Sequence, residues 1–328
     1  MSRRSDEGRR SHPFWLALGW VGCLSTGLVL ASSMFPVLQG KHVVFALAAS
    51  FTPHALLGWL FAVLVFIVAA KGKAKLLALI AAIGLACNLL VVEPYLPRPT
   101  RLEAQTPQLR VLTVNLCYGQ ADVERFVELF HQVTPDVVVL AEITTSFAEA
   151  FTKSVKKELP HRAGTPSAEG MASGTMIFSR FPLTEADAAQ TTFNSAFVEV
   201  ADPGGKFILG GVHTVNPVRD FDLWLADGEA IAEVAARRVG RPLIIAGDFN
   251  ATDEHLPLRK ITSAGLSSVE RRVGAGWIPT FPSDIGLVPP LIGIDHILIN
   301  KEFRATKVYA VSVVGTDHLG LVAELVRT

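Results

Sequence analysis

Three stretches in the first hundred residues carry no charged side chain: residues 14–35, 43–70 and 76–92. A helix crossing the hydrocarbon core of a bilayer needs about 20 apolar residues, within a range of about 17–25. The first run spans comfortably and the third is just long enough. The second contains Thr52-Pro53-His54, which divides it into an interfacial or re-entrant piece at 45–51 and a span core at 55–70. The expected arrangement is an all-α transmembrane region of about three helices over 14–35, 52–70 and 76–92, with a fourth span left open. A chain that is half hydrophobic in this uneven way is not an ordinary soluble enzyme.

The net charge of zero conceals two unlike halves. Residues 1–100 hold nine Lys and Arg against three Asp and Glu, whereas residues 101–328 hold twenty-one against twenty-seven. Cytoplasmic loops collect basic residues. Arg3, Arg4, Arg9 and Arg10 precede the first run, and Lys71, Lys73 and Lys75 separate the second from the third. These positions predict a multi-pass protein with a cytoplasmic N-terminus and everything after about residue 93 on the extracytoplasmic (periplasmic or outer) face. The alternative for the first run is a cleaved signal peptide, with Ala31-Ser32-Ser33 as its small-residue site; the C-terminal part then stays on the same side. Cys23 and Cys87 fall in expected spans and Cys117 is the one cysteine beyond them, so no disulfide framework can be drawn. Cys117 reads as a small core residue in a strand rather than a nucleophile.

Pro94, Pro97, Pro99 and Pro107 mark a short semi-rigid linker over 94–108, and a domain follows over 109–328. Its pattern predicts strands at 109–115, 136–142, 171–179, 192–201, 206–213, 243–248, 294–300, 308–314 and 320–325. Helices are expected at 121–133, 146–159, 221–238 and 257–264, and a Gly/Pro-rich loop at 274–290. Asp202-Pro203-Gly204-Gly205 reads as a hairpin turn. Mixed α and β with hairpins favours an α+β arrangement of packed sheets covered by helices over a doubly wound parallel sheet.

Polar residues close these apolar strands again and again. Leu243-Ile244-Ile245-Ala246 runs into Gly247-Asp248-Phe249-Asn250, and period-two reasoning puts Asp248 and Asn250 on one side of the chain. The plainer reading of that end is an Asx-turn. Asn115, Glu142 and His213 close three other strands, Asp295-His296 opens another, and Asp317-His318 follows Val313-Val314-Gly315-Thr316. Each has a plain alternative: a turn residue for Asn115, a helix cap for Glu142, core histidines for His213 and His296, loop carboxylates for Asp295 and Asp317. Together, at strand ends that a two-sheet fold brings to one edge, they make a site.

The chemistry of such a set is coherent. A phosphodiester repels an incoming oxygen, and carboxylate and carbonyl oxygens suit Mg²⁺ or Mn²⁺, which keeps positions open for phosphate and water. A histidine held by a carboxylate has its tautomer fixed for acid–base work. Zinc fits less well, since cysteine is missing from the set.

In these motifs and their order the region from about residue 109 to 328 resembles the endonuclease/exonuclease/phosphatase superfamily. The resemblance rests on Gly-Asp-Phe-Asn at 247–250, Thr280-Phe281-Pro282, Ile294-Asp295-His296-Ile297-Leu298 and Thr316-Asp317-His318-Leu319. It implies a DNase I-like four-layer α/β/β/α sandwich and a metal-dependent hydrolase of phosphoric esters. It further implies Glu142 as the main metal ligand with Asn115 and Asp317 beside it. Asp248 positions or activates the attacking water, and Asn250 and His213 bind the phosphate oxygens. His318, oriented by Asp295, is the general base or a phosphate-stabilising group. His296 is the weakest candidate.

Which phosphate ester is cleaved stays open: a lipid-linked phosphate, a small phosphodiester or a nucleic acid. Nucleic-acid binders usually present a basic surface, whereas this domain is acidic by about six charges. Lys153, Lys156, Lys157, Arg237, Arg238, Arg241, Arg271 and Arg272 read mostly as solvated faces. Tethering raises the local concentration of anything in the bilayer. The alternatives are a nuclease acting outside the cytoplasm and a non-catalytic tethered binding domain.

Overall fold

The uncharged runs of the first hundred residues fold as helices, because a continuous helix satisfies its backbone internally, and the Ser and Thr hydroxyls of α1 bond back to carbonyls of the preceding turn. The computed structural model describes residues 13–68, 74–98, 108–238 and 240–328, and the chain divides into two units, Met1–Pro94 and Tyr95–Thr328. The first unit contains α1 (Pro13–Met34), α2 (Val43–Ala49), α3 (Ala55–Val68) and α4 (Ala74–Val92). Small residues bring these helices close: a Cβ added at Gly58 would lie 2.4 Å from Thr26, and one at Gly84 would lie 2.4 Å from Trp59. Buried polar groups pair among themselves, Gln39 Nε2 donating to Ser32 O at 2.9 Å and Asn88 Nδ2 to Thr52 O at 3.2 Å.

Two helices, Pro13–Met34 and Lys75–Tyr95, are long and apolar enough to cross a membrane. Of the middle span expected over 52–70, Thr52-Pro53-His54 lies in turns and α3 begins at Ala55, running to the last described residue, Val68. The piece expected at 45–51 is α2. Residues 69–70, the basic residues Arg3, Arg4, Arg9, Arg10, Lys71 and Lys73, and most of the expected linker (99–107) lie outside the described residues.

The second unit is built on strands β1 (Leu109–Asn115), β2 (Val137–Ala141), β3 (His161–Thr165), β4 (Thr175–Ser179), β5 (Leu183–Glu185), β6 (Ala196–Asp202), β7 (Gly205–His213), β8 (Leu243–Asp248), β9 (Ser267–Ser268), β10 (Asp295–Ile299), β11 (Phe303–Val311) and β12 (Gly320–Arg327). Its helices are α5 (Val123–Val133), α6 (Thr145–Val155), α7 (Phe221–Ala236), α8 (Leu256–Ser263) and the short α9 (Val269–Val273). One six-stranded sheet has the order β11-β12-β1-β2-β4-β3 and the other β5-β6-β7-β8-β10-β9. Only β1–β2 and β7–β8 are parallel, each joined through a helix, α5 and α7.

Alternation assigns the faces. Leu109, Val111, Val137 and Val139 join Leu209, Ile244, Ala246 and Ile297 in the core between the sheets. Their neighbours Leu112, Val114, Val138 and Leu140 pack under α5 and α6 with Phe126, Phe130 and Phe151. The two sheets with helices outside them form the expected four-layer sandwich. Two exposed edge strands, β3 and β5, escape sequence reading, because their side chains face solvent and leave no apolar alternation.

Candidate active site

The same alternation that builds the core aims four polar side chains into one place. Asn115 continues the inward series Leu109, Val111 of β1, and His213 continues Phe207, Leu209 of β7. Asp248 follows Ile244, Ala246 of β8, and Asp295 precedes Ile297, Ile299 of β10. Strand register sets His213 beside Asp248 and Asp295 opposite Asp248. All four are buried, at the end of the sandwich where β1, β7 and β8 finish and β10 begins.

Glu142 breaks the alternation. By parity it belongs on the helix side of its sheet, but its φ of 53° turns it back to the site. There Glu142 Oε2 accepts from Tyr118 N at 2.7 Å and Oε1 from Asn115 Nδ2 at 3.1 Å. Asn115 Nδ2 also donates to Asp248 Oδ2 at 2.9 Å, so one amide bridges the two sheets. Asn250 is placed by a turn as well. The strand ends at Asp248, Asn250 has φ 45°, and its backbone N donates to Asp248 Oδ1 at 2.8 Å. The Asx-turn is therefore present and serves the site. Asn250 Nδ2 donates to Thr214 O at 2.9 Å and reaches Asp248 Oδ2 at 3.4 Å. The glycine before Asp248 is required: Gly247 has φ 146°, and a Cβ there would lie 1.9 Å from Val212 O.

Five non-glycine residues among those described have positive φ. Thr134 ends α5; the other four, Cys117, Tyr118, Glu142 and Asn250, line a single cavity of about 130 Å³ with Asn115, His213, Asp248, Asp317 and His318. Such backbone conformations persist where the surrounding structure over-determines them, and they cluster at functional sites.

His318 Nδ1 donates to Asp295 Oδ2 at 2.8 Å, and its Nε2 lies 3.9 Å from Asp248 Oδ2 and 3.9 Å from Asp317 Oδ1. Burial opposes a charge on this ring, but Asp295, Asp248 and Asp317 outweigh it and push His318 up to about 10, so it is an imidazolium at neutral pH. His213 is the opposite case. Burial holds it below the ordinary histidine value against the pull of Asp248, and its Nδ1 faces Ala172 O at 3.1 Å. Its Nε2 stands 3.6 Å from Glu142 and 3.8 Å from Asp248. Burial raises the Glu142 carboxyl against its hydrogen bonds from Asn115 and Tyr118. Burial and then Asp295 raise Asp248.

The structure brings Asn115, Glu142, His213, Asp248, Asn250, Asp295, Asp317 and His318 together. It leaves His296 aside, in the core, with Nε2 on Ala251 O at 2.7 Å and its ring edge-on to Phe249. Cys117 lies beyond the end of β1 on the cavity wall rather than in a strand, and burial followed by Asp317 pushes its thiol up to about 12, which suits no nucleophile. Three further residues line the cavity without a sequence signal: Phe193, whose ring centroid lies 4.7 Å from that of His213, Asn216, and Arg219, whose guanidinium sits over Phe193 at 5.6 Å. Asn216 and Arg219 lie in a segment with no periodic pattern, and Phe193 falls in the stretch expected as a strand over 192–201, which begins only at Ala196; proximity in the fold identifies all three.

Glu142, Asp248 and Asp317 have His213 and His318, and no Lys or Arg, as ion-pair partners within 4.0 Å among the described residues. Desolvated oxygen donors with surplus negative charge fit a hard divalent cation. Asp248, Asp295 and His318 bring ligand atoms within 4.8 Å of one another, but the Asp295–His318 hydrogen bond already engages two of them.

Residues 112–318 match the model of the Endonuclease/Exonuclease/phosphatase family. This chain belongs to that family. Its members are phosphoesterase hydrolases that generally use a divalent metal, and the chain is a hydrolase of this class. Among solved structures, the endonuclease/exonuclease/phosphatase from Beutenbergia cavernae is similar at a TM-score of 0.55 and 21% identity, over 68% of this chain and 72% of that one. A mannosyl-6-phosphatase from Bacteroides thetaiotaomicron gives 0.51 and 18%, over 66% and 99%. A humanized D. rerio TDP2 gives 0.55 and 16%, over 66% and 98%. At these identities the likeness shows the fold. No curated protein matches the chain.

Proposed function

We propose that this family member is a membrane-anchored, divalent-metal-dependent phosphoesterase that cleaves a phosphodiester or phosphomonoester by attack of an activated water. The observation that carries this reading is the convergence of Asn115, Glu142, His213, Asp248 and His318 on one cavity, with Asp295 behind His318.

Glu142, with Asn115 and Asp317, would hold Mg²⁺ or Mn²⁺, which when bound neutralises phosphate charge and acidifies a coordinated water. Asp248 orients the attacking water and accepts its proton. Its oxygens are fixed for that task by Asn115 Nδ2 and Asn250 N, and a carboxyl raised by burial is a better base than an exposed one. His213, protonated as the phosphate enters, donates from Nε2 to a non-bridging oxygen while Ala172 O holds the ring through Nδ1. Asn250 adds a donor there by releasing its 3.4 Å contact with Asp248. His318, held as imidazolium by Asp295, donates its Nε2 proton to the phosphate or to the departing oxygen. One P–O bond forms to water and the ester P–O bond breaks.

The two membrane-length helices support the anchor. The clusters Arg3, Arg4, Arg9, Arg10 and Lys71, Lys73, Lys75 support a cytoplasmic N-terminus and an outward-facing catalytic domain. That topology requires α3 to complete a crossing, and accessibility of the domain to added protease in oriented vesicles tests it.

The enzymatic reading is tested with the full chain in detergent on bis-p-nitrophenyl phosphate. Turnover is expected with Mg²⁺ or Mn²⁺, lost with EDTA, and lowered about a thousand-fold in Glu142→Ala. Metal-independent turnover, or a Glu142→Ala enzyme as fast as wild type, overturns it.

A further inference from the structure

Of the nine exposed large apolar side chains described in the second unit, seven stand on loops that carry the site, and Leu96 and Leu223 lie outside those loops. Tyr118, Met171 (52% exposed), Val218 (75%), Leu287 (103%) and Val314 (57%) stand on five different loops. Each loop also carries part of the site. Tyr118 lines the cavity itself, Met171 precedes Ala172, Val218 precedes Arg219, and Val314 leads to Asp317. Leu287 stands on the loop that begins with Phe281, tied to the site where Ser283 N donates to Asp317 O at 2.8 Å. At the opposite end of the sandwich the loops 156–160, 180–182, 203–204 and 300–302 expose no large apolar side chain among the described residues.

A water-borne phosphate ester gives no reason to hold five apolar side chains in solvent around its entrance. Apolar tips on separate loops, ringing an aperture, match a broad apolar medium better than a single docked segment, which needs a continuous groove. The ring also contains a cation. Arg219 lines the cavity mouth with no carboxylate partner among the described residues, its guanidinium over Phe193, where it can take a phosphate by paired hydrogen bonds. The chain also has two helices long and apolar enough to cross a bilayer.

We propose that this apolar rim docks on a lipid surface and that the phosphate ester hydrolysed is borne by a lipid, with Arg219 holding its phosphate. The proposal rests on the phosphoesterase reading. Water's oxygen joins the phosphorus, and the ester oxygen leaves towards the lipid or the headgroup with the proton from His318.

The full chain in phosphatidylcholine vesicles tests this with two readouts. In a background without native cysteines, a fluorophore is placed at Leu287→Cys or, as control at the far end, Lys206→Cys. Doxyl-labelled lipid is expected to quench the first at least about two-fold more than the second. The triple variant Met171→Ser, Val218→Ser, Leu287→Ser is then assayed on bis-p-nitrophenyl phosphate and on vesicles containing phosphatidic acid and phosphatidylglycerol. Lipid turnover should fall about ten-fold or more while soluble turnover stays within about two-fold. Equal quenching at the two positions overturns the docking. Lipid turnover unchanged in the variant, or no lipid turnover by a wild type active on the soluble ester, overturns the substrate assignment. Strong quenching at 287 with neither substrate cleaved supports the docking and sinks the phosphoesterase reading instead.

Discussion

The two ends of the strand layers share one core and are finished differently. At the far end several charges meet partners. Arg327 pairs with Asp202 at 2.8 Å and lies over Phe207 and Phe303, Arg110 pairs with Glu324 at 3.0 Å, and Glu199 meets both Lys206 and Arg241. The β6–β7 hairpin there closes tightly through Pro203-Gly204, between the paired residues Asp202 and Gly205. At the catalytic end the carboxylates crowd with no Lys or Arg ion-pair partner among the described residues, four non-glycine residues adopt positive φ, and apolar side chains face solvent. Such an end survives because the fully buried core residues on β1, β2, β7, β8 and β10 hold the strand ends in place. Stability is built at one end and reactivity tolerated at the other, as expected where local strain serves function.

The largest effect expected from breaking this division is at Gly247, where core and site meet. Gly247→Ala forces a Cβ into Val212 O and an L side chain into φ 146°. The expected result is loss of turnover together with about 3 kcal/mol or more of stability, read by denaturation and assay in parallel. A variant that keeps both would show that the strand end relaxes freely. Next comes His318→Ala, which should lower turnover by about 10²–10⁴-fold with little change in the circular dichroism spectrum. Asp295→Asn keeps the shape but weakens the hold on Nδ1, and a loss of about 10–100-fold is expected, with His318 titrating lower by NMR. An unmoved histidine resonance would remove Asp295 from its orienting role.

The catalytic end was partly legible in the sequence for a physical reason. Inward alternation puts Asn115, His213, Asp248 and Asp295 where each strand's apolar series would place its next residue, so a polar residue closing such a series stands out. Glu142 and Asn250 stood out as residue types, but their orientation depends on positive φ, which no side-chain period encodes. Arg219 and Phe193 were invisible because they lie on irregular loops that only the closed fold brings to the cavity. The membrane region shows the converse limit. Charge-free length in the sequence does not show where a helix starts: Thr52-Pro53-His54 lies in turns and α3 begins only at Ala55.

A smaller effect belongs to the far end and sharpens the contrast. Asp202→Asn removes the charge partner of Arg327 where both groups are largely buried, 6% and 19% exposed as side chains. A loss of about 1–2 kcal/mol in stability is expected, with kcat on a soluble phosphodiester unchanged. A fall in kcat at full folding would mean that the two ends are coupled and the division is wrong.

The smallest expected effect lies between the ends, at Glu270, which opens α9 near His296. Burial pushes its carboxyl up to about 7 from an ordinary 4.5, against the favourable charge of His296. Its Oε2 is buried without a hydrogen-bond partner. Below pH 4.5 both folded and unfolded chains hold this proton, and stability is undiminished. Between about 4.5 and 7 the unfolded chain releases the proton while the folded chain retains it, so stability falls as pH rises and levels off above about 7. The residue as a whole is half-buried, which limits the loss to about 1 kcal/mol. Glu270→Gln carries no such proton. Its melting temperature should exceed that of wild type at pH 8 by more than it does at pH 4.5, while metal-dependent turnover at neutral pH stays the same. Parallel melting curves for the two proteins across that range would show that the carboxylate is solvated after all, and a change in turnover would bring Glu270 into the catalytic end.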